Sequence, residues 1–296
     1  MGAATKVGIC TDSNSQIPAE LVDRYDVEVV PITVIVDEHE YLEGVDLDAD
    51  DFYALFRSAI VETGHAPKVS TSQPSPGQFA LAYEALAERG CTDILSIHIS
   101  SAVSGTLNSA RLATRSVDIP IRLVDTGTTS FGVSCCVWAA GDAIFGGATL
   151  DEAASIAESL GPSIGNVFIV GGLDLMSSTA SGSADPIDTA NSIPVLTFRD
   201  GRVEVLERVV TVVDAINSMA SVALRWGDRL NVAVGVADGD ALPLADALAH
   251  AVGESANVDR VVRYRVGPSV GARTGPGSVG CFMFPSSLVR STPATS

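Results

Sequence analysis

Short runs of branched apolar residues recur in the first half of the chain, and segments long enough for a helix separate them. The clearest runs are residues 6–10, 93–99 and 121–124. Runs of this length between turn-forming residues are typical of buried strands, and the segments between them indicate βαβ units. Because such a connection joins parallel strands, we expect an N-terminal three-layer α/β/α domain with a parallel sheet.

The pattern changes in the second half of the chain, where a hairpin signal appears. Asp200 and Gly201 stand between two strand-like runs, and an Asp-Gly pair in that position favours a β-hairpin. A hairpin among further strands and helices predicts a mixed sheet in a C-terminal two-layer α/β domain. The predicted boundaries are 1–163 for the first domain, 164–290 for the second and 291–296 for a frayed tail.

Charge limits the partners of this chain. Its 296 residues include 18 Lys and Arg against 36 Asp and Glu, which gives a formal net charge of −18. Nucleic acid and anionic lipid surfaces would be repelled, so neither is an expected partner. The longest apolar stretch, residues 131–150, contains Asp142 and four glycines. We therefore expect no stable membrane insertion.

The cysteines and the start of the chain favour a cytoplasmic protein. Five cysteines, an odd number, include no C-x-x-C spacing, which fits a reducing compartment. A predicted strand begins at Lys6 without an apolar leader before it. The acidic run at 46–51 lacks the glycine and closing glutamate of a calcium loop, so it is interpreted as a helix N-terminus and no metal site is predicted.

Four turns rich in small hydroxyl residues follow predicted strands or precede a predicted helix. They lie at residues 11–15, 69–79, 100–106 and 124–130. Turns at the carboxyl ends of parallel strands line the ligand crevice of open α/β sheets. Four such turns therefore predict a cleft for a small ligand.

The turn at 100–106 is the most informative of the four, because it leads from a strand into a helix. Free backbone N–H groups and the helix dipole favour an anion there. Ser101, Ser104 and Thr106 add neutral hydroxyl donors, and Gly105 leaves room for a ligand. We predict a carboxylate or phosphate site, with a capped turn that binds nothing as the alternative.

A glycine-rich segment near the end of the chain carries one cation. Residues 267–277 contain four glycines and Arg273, whose planar guanidinium can bind a carboxylate. A surface arginine on a turn is the alternative interpretation.

Motifs for catalysis are weak. Two G-x-S-x-G matches, at 161–165 and 267–271, lack the strand–turn–helix order or the later histidine of a hydrolase. His98 is interpreted as a packed, hydrogen-bonded histidine. The alternative, in which it faces Asp125 or Ser104, leaves a serine hydrolase of acyl esters as an alternative function. No phosphate-binding loop for a nucleotide is present. We predict no catalytic residue and no enzymatic activity.

In chain order, these clusters resemble the DegV family of bacterial fatty-acid-binding proteins. The matching pieces are residues 11–13, 71–75, 100–106, 124–126 and 274–277, which extend over nearly the whole chain. The resemblance implies two α/β domains with an acyl chain buried between them. It also implies a carrier from which a separate fatty-acid kinase phosphorylates the bound carboxylate. No cofactor is expected beyond the long-chain fatty acid bound as ligand.

The resemblance places the carboxylate on hydroxyls that correspond to Thr71 and Ser104. The full set of predicted ligand-binding residues is Thr71, Ser72, Ser101, Ser104, Gly105, Thr106, Arg273 and Thr274.

Three positions depart from the family pattern. Arg273 stands where a histidine is usual, and arginines expected near 177–182 and 209–211 are missing. Arg273 can compensate for the lost positive charge. The departures leave open a diverged protein that binds another small anionic lipid.

Overall fold

The computed structural model describes residues 5–171, 192–199 and 201–289, which form two compact units. The first comprises the described residues of Met1–Asp46, Val69–Ile164 and Ser286–Ser296, and the second those of Leu47–Lys68 and Gly165–Pro285. Leu47–Lys68 thus groups by its contacts with the second unit, although it lies early in the sequence. The predicted tail at 291–296 lies outside the described residues, and the domain boundaries drawn from the sequence stay a prediction.

The elements of the described residues are numbered in chain order. The strands are β1 (Val7–Asp12), β2 (Val27–Val30), β3 (Thr33–Val36), β4 (His39–Leu42), β5 (Val69–Ser72), β6 (Asp93–His98), β7 (Ile121–Asp125), β8 (Gly165–Ile169), β9 (Ile193–Arg199), β10 (Arg202–Val209), β11 (Leu230–Val236), β12 (Val258–Arg265) and β13 (Val279–Pro285). The helices are α1 (Ala19–Tyr25), α2 (Ala49–Thr63), α3 (Pro76–Glu88), α4 (Thr106–Ala113), α5 (Phe131–Phe145), α6 (Leu150–Leu160), α7 (Val212–Leu224), α8 (Leu242–Gly253) and α9 (Pro268–Thr274).

A parallel four-stranded sheet in the order β2-β1-β6-β7 forms the centre of the first unit. Helices α3 and α4 pack on it, and their apolar side chains form a core with Cys10 and Ile94. Helices α1, α5 and α6 form a second group of packed helices, and α5 is apolar on nearly every side because it is buried. The parallel sheet with helices predicted for this part of the chain is confirmed.

A smaller antiparallel sheet, in the order β4-β3-β5, accompanies the parallel sheet in the first unit. Pro31 interrupts the apolar run at 27–36, which suggests a sheet edge or a bulge, and the structure divides the run there between β2 and β3 of different sheets. Proline has no N–H to donate to a ladder, so pairing changes there. Strand β5 was not predicted, because its sequence, Val69-Ser70-Thr71-Ser72, has no apolar alternation.

The second unit contains the predicted mixed sheet. Its six strands lie in the order β10-β9-β8-β13-β11-β12, with β11 and β12 parallel and the other pairs antiparallel. Helices α7 and α8 pack together on this sheet and enclose a core of Val, Ala, Leu and Met side chains. Strands β9 and β10 form the predicted hairpin, with Arg199 paired to Arg202. Gly201 has φ +77°, and Asp200 of the predicted turn lies outside the described residues.

All five cysteines are reduced and buried. Burial raises the pKa of the Cys136 and Cys281 thiols to about 12, so the reactive thiolate is scarce at neutral pH. We expect no alkylation of the native protein by iodoacetamide at pH 8 within minutes, and five adducts after denaturation. Intact-protein mass spectrometry distinguishes the two states. Rapid modification of the native protein would contradict the burial of these thiols.

Candidate functional site

The carboxyl end of β6 lies between the ends of β1 and β7, and threonine hydroxyls tie it to both neighbours. Thr11 Oγ1 donates to the carbonyl of Ile97 at 2.8 Å, and Thr126 Oγ1 donates to the carbonyl of His98 at 2.8 Å. Two of the predicted hydroxyl turns therefore stabilise the third. Their threonines fix the strand from which the loop at 100–106 begins.

Ser101 is held by an acidic partner within this loop. Its hydroxyl and its backbone N–H both donate to the Asp125 carboxylate, the N–H at 3.2 Å from Oδ1. Gly127 N–H donates to the same oxygen at 3.1 Å. A hydroxyl has a single proton, and Ser101 uses it on Asp125. In this arrangement Ser101 orders the loop and has no proton to donate to a bound anion.

Ser104 and Thr106 form a hydroxyl pair at the start of α4. Their oxygens are 2.8 Å apart, and Thr106 N–H donates to Ser104 Oγ at 3.3 Å. The pair holds two hydroxyl protons, and one of them joins the two oxygens. Gly105 is the N-cap residue of α4 and provides no side-chain cap. The arrangement leaves one hydroxyl proton for an anion at the positive end of a helix.

Gln73 links this helix start to the strand that carries Thr71 and Ser72. Its Nε2 donates to Ser109 Oγ at 3.2 Å, one turn into α4. The same amide lies against Gly105, where a Cβ would overlap it. The carboxyl end of β5 is therefore held near the start of α4. The role of Gln73 has no local sequence signal, because its partners are more than 30 residues away.

Gly105→Ala tests this link. The added methyl group would displace the Gln73 amide, and we expect the loss of one hydrogen bond to weaken anion binding about fivefold. Displacement of a fluorescent fatty acid measures the effect. Gly77→Ala in α3 is the matched control, since a Cβ there makes only ordinary contact with Ser75. Equal affinities of the two variants would contradict the proposed role of Gln73.

The packed, hydrogen-bonded histidine that the sequence favoured is confirmed, and the alternative pairing of His98 with Ser104 or Asp125 is wrong. His98 is fully buried, with Nδ1 3.0 Å from Asp12 Oδ2 and Nε2 2.6 Å from Ser96 Oγ. Both ring nitrogens therefore have partners in the interior. No local pattern indicates the acidic partner of His98, because Asp12 is 86 residues away in the chain. His98 is therefore not placed to act as a base for Ser104.

Arg273 and Thr274 lie in the last turn of α9, within the second unit. Thr274 Oγ1 donates weakly to the Val270 carbonyl at 3.4 Å. The turn that follows is fixed by a buried carboxylate, since Gly277 N–H donates to Asp238 at 3.2 Å. Gly277 has φ +75° and Gly275 has φ +71°, which favour glycine at both positions.

The guanidinium of Arg273 is exposed and makes no ion pair with any residue that the structure describes. Two nearby arginines of β12 differ from it. Arg263 forms an ion pair with Asp246, and Arg265 Nη2 is 2.6 Å from Asp50 Oδ1. Both arginines therefore already have acidic partners. Arg273 is thus the available cation of the three.

Of the two segments that lack the expected arginines, the structure describes only the second. Residues 177–182 lie outside the described part of the chain. At 209–211 the chain leaves β10, and Thr211 serves as the N-cap of α7, its Oγ1 accepting from Asp214 N–H at 3.1 Å. This position is therefore used to start a helix.

The protein belongs to the class of two-unit α/β proteins. One of its units has hydroxyl loops at the carboxyl edge of a parallel sheet. The model of the family described as "Uncharacterised protein, DegV family" matches residues 6–286. The chain belongs to the DegV family.

Relatives from several bacteria support this assignment. The DegV domain-containing protein SCO2569 of Streptomyces coelicolor is 33% identical over 93% of this chain and 96% of its own. A Staphylococcus aureus DegV domain-containing protein, SAR1438, is 29% identical over 93% of this chain and 98% of its own.

Solved structures share the fold. A fatty-acid-binding DegV family protein from Thermus thermophilus superimposes with a TM-score of 0.81 at 27% identity, covering 95% of this chain and 100% of that one. A DegV lipid-binding protein from Thermotoga maritima has a TM-score of 0.78 at 24% identity, covering 95% and 98% of the two chains. In the described part of our chain, no helix is long and apolar enough to span a bilayer.

Proposed function

We propose that this protein binds a long-chain fatty acid and carries it without catalysing a reaction itself. The observation that supports this most is the link through Gln73, which holds the end of β5 near the start of α4. A carboxylate there would accept from Thr71 and from the Ser104–Thr106 pair. The related Thermus thermophilus protein, which binds fatty acid, supports an acyl chain as the remainder of the ligand.

The charge of the chain supports a site made from neutral donors. With a formal net charge of −18, the overall field opposes anion binding. Hydroxyl donors and the α4 dipole act only at short range, so they can hold one carboxylate without attracting other anions. Arg273 is proposed as the cation that pairs with the carboxylate.

Identification of the co-purified ligand tests the proposal directly. The protein is purified without added lipid, denatured and extracted, and the extract is analysed by mass spectrometry. We expect a long-chain fatty acid in amounts close to one per chain. Recovery of a different anionic lipid would favour the diverged alternative. No lipid in the extract, together with no binding of added palmitate or oleate, would refute the proposal.

We further propose that a separate fatty-acid kinase in the cytoplasm acts on the bound ligand. In that step the γ-phosphoryl group of ATP is transferred to a carboxylate oxygen, and ADP leaves. The sequence has no phosphate-binding loop for ATP, so this chain would supply only the positioned acid. A partner kinase is therefore needed for the chemistry.

Acyl-phosphate formation, trapped with hydroxylamine, tests this step. We expect no product from this chain, fatty acid and ATP alone, and product when a bacterial fatty-acid kinase is added. Product without the kinase would show that the chain is itself an enzyme. A chromogenic acyl ester provides the parallel test for the hydrolase alternative, where we expect no turnover.

A further inference from the structure

A buried chain of polar side chains ends directly behind the hydroxyl loop. Tyr83 OH lies 2.9 Å from Ser96 Oγ, which lies 2.6 Å from His98 Nε2. His98 Nδ1 lies 3.0 Å from Asp12 Oδ2, and that oxygen also accepts the backbone N–H of Ile99 at 3.1 Å. All four side chains are 0% exposed. The chain therefore runs from the core to the residue that begins the loop.

Both oxygens of the Asp12 carboxylate accept hydrogen bonds. Besides His98 and Ile99, which share Oδ2, the N–H of Asn14 donates to Oδ1 at 3.2 Å. Three donors converge on one group that only accepts. A carboxylate satisfies all of them, whereas an asparagine amide must turn its NH₂ group toward at least one donor. The three converging donors therefore favour an aspartate at this position.

We propose that Asp12 and His98 are positioning residues for the ligand carboxylate. Asp12 fixes the Ile99 N–H, and His98 fixes Asp12, so that the loop leaves β6 in one direction. Val103 and Ser104 then donate to the Ser100 carbonyl, each at 3.1 Å, which sets the Ser104 hydroxyl. This inference rests on the proposed function, because the loop is taken to bind a carboxylate.

The cost of burial supports a role beyond packing. An aspartate without solvent exposure pays a large desolvation penalty, which the bonds to its partners only offset. Apolar residues of similar volume would fill the space at lower cost. The polar pair instead provides a fixed geometry at the start of the loop, and preorganised donors bind an anion with little reordering.

Four variants separate positioning from simple stability. Asp12→Asn breaks the contact at Ile99 or at Asn14. His98→Asn keeps a donor near the position of Nδ1, while His98→Leu removes it. Tyr83→Phe is the matched control, because it removes a buried hydroxyl from the far end of the same chain. For each variant, displacement of a fluorescent fatty acid gives the dissociation constant, and the exchange rate of the Ile99 amide reports the loop anchor.

We expect His98→Leu to weaken binding about fivefold to tenfold and to accelerate exchange at Ile99. Asp12→Asn should weaken binding by a similar factor, because one of the three donors loses its acceptor. His98→Asn should recover at least half of the loss in binding free energy, and Tyr83→Phe should bind within about twofold of the parent. If Asp12→Asn does not fold, the comparison of His98→Asn with His98→Leu decides. Equal affinities of those two, or an equal loss in Tyr83→Phe, would overturn the inference. A parent protein that binds no fatty acid would instead refute the proposed function and this inference together.

Discussion

Replacing Thr71 or Ser104 by alanine is expected to weaken fatty-acid binding by about tenfold to a hundredfold in each case. A hydrogen bond to a charged group contributes about 1.5–3 kcal/mol, and each hydroxyl is proposed to donate one such bond to the carboxylate. Thr71 is exposed on β5 and Ser104 is half-buried in the loop, so neither change removes core packing. Titration with a fluorescent fatty acid measures the loss.

Ser70→Ala is the matched control for this prediction. Ser70 is also an exposed hydroxyl residue of β5, but successive strand residues point to opposite faces, so its side chain faces away from that of Thr71. We expect Ser70→Ala to bind like the parent, and all three variants to unfold at nearly the parental temperature. Parental affinity in both Thr71→Ala and Ser104→Ala would place the carboxylate elsewhere.

Removing the guanidinium of Arg273 is expected to weaken fatty-acid binding by at least about tenfold. An arginine can hold a carboxylate through two parallel hydrogen bonds, and bonds of this charge-assisted type contribute about 1.5–3 kcal/mol. Arg273 is exposed and has no ion pair among the residues that the structure describes. Its charge is thus available to a ligand. Arg273→Lys should restore little of the loss, because an ammonium cannot form the planar pair.

Arg263→Ala and Arg265→Ala are the controls, since both side chains already pair with aspartates. We expect these variants to bind fatty acid within about twofold of the parent, because isolated surface ion pairs contribute little. Parental affinity should also change little between pH 6 and 8, where arginine stays protonated. Equal losses in the three variants, or a steep fall in parental affinity near pH 7, would refute the role of Arg273.

The local sequence pattern was sufficient to predict a strand or hairpin when the apolar or turn residues that indicate it lie within that element. Strand β6 was predicted from its apolar residues, because a central strand of a parallel sheet needs them on both faces. Strand β7 was predicted from a shorter apolar run, although it lies at the edge of the sheet and exposes Arg122 and Asp125. The hairpin of β9 and β10 was predicted from its turn residues. In contrast, β5 has mostly exposed polar side chains, so only its pairing with β3 makes it a strand.

The sequence predicted the parallel sheet of the first half, the mixed sheet of the second half and the hydroxyl turns that follow the strands. These properties depend on residues that are neighbours in the chain, and local periodicity and turn chemistry report them. In contrast, the tertiary structure was needed to show that Asp12 is the partner of His98, that Gln73 contacts Gly105 and Ser109, and that Ser101 donates its hydroxyl proton to Asp125. The residues of each contact are 24 to 86 positions apart in the chain. Such contacts exist only after the strands have taken their order in the sheet, and no local pattern encodes that order.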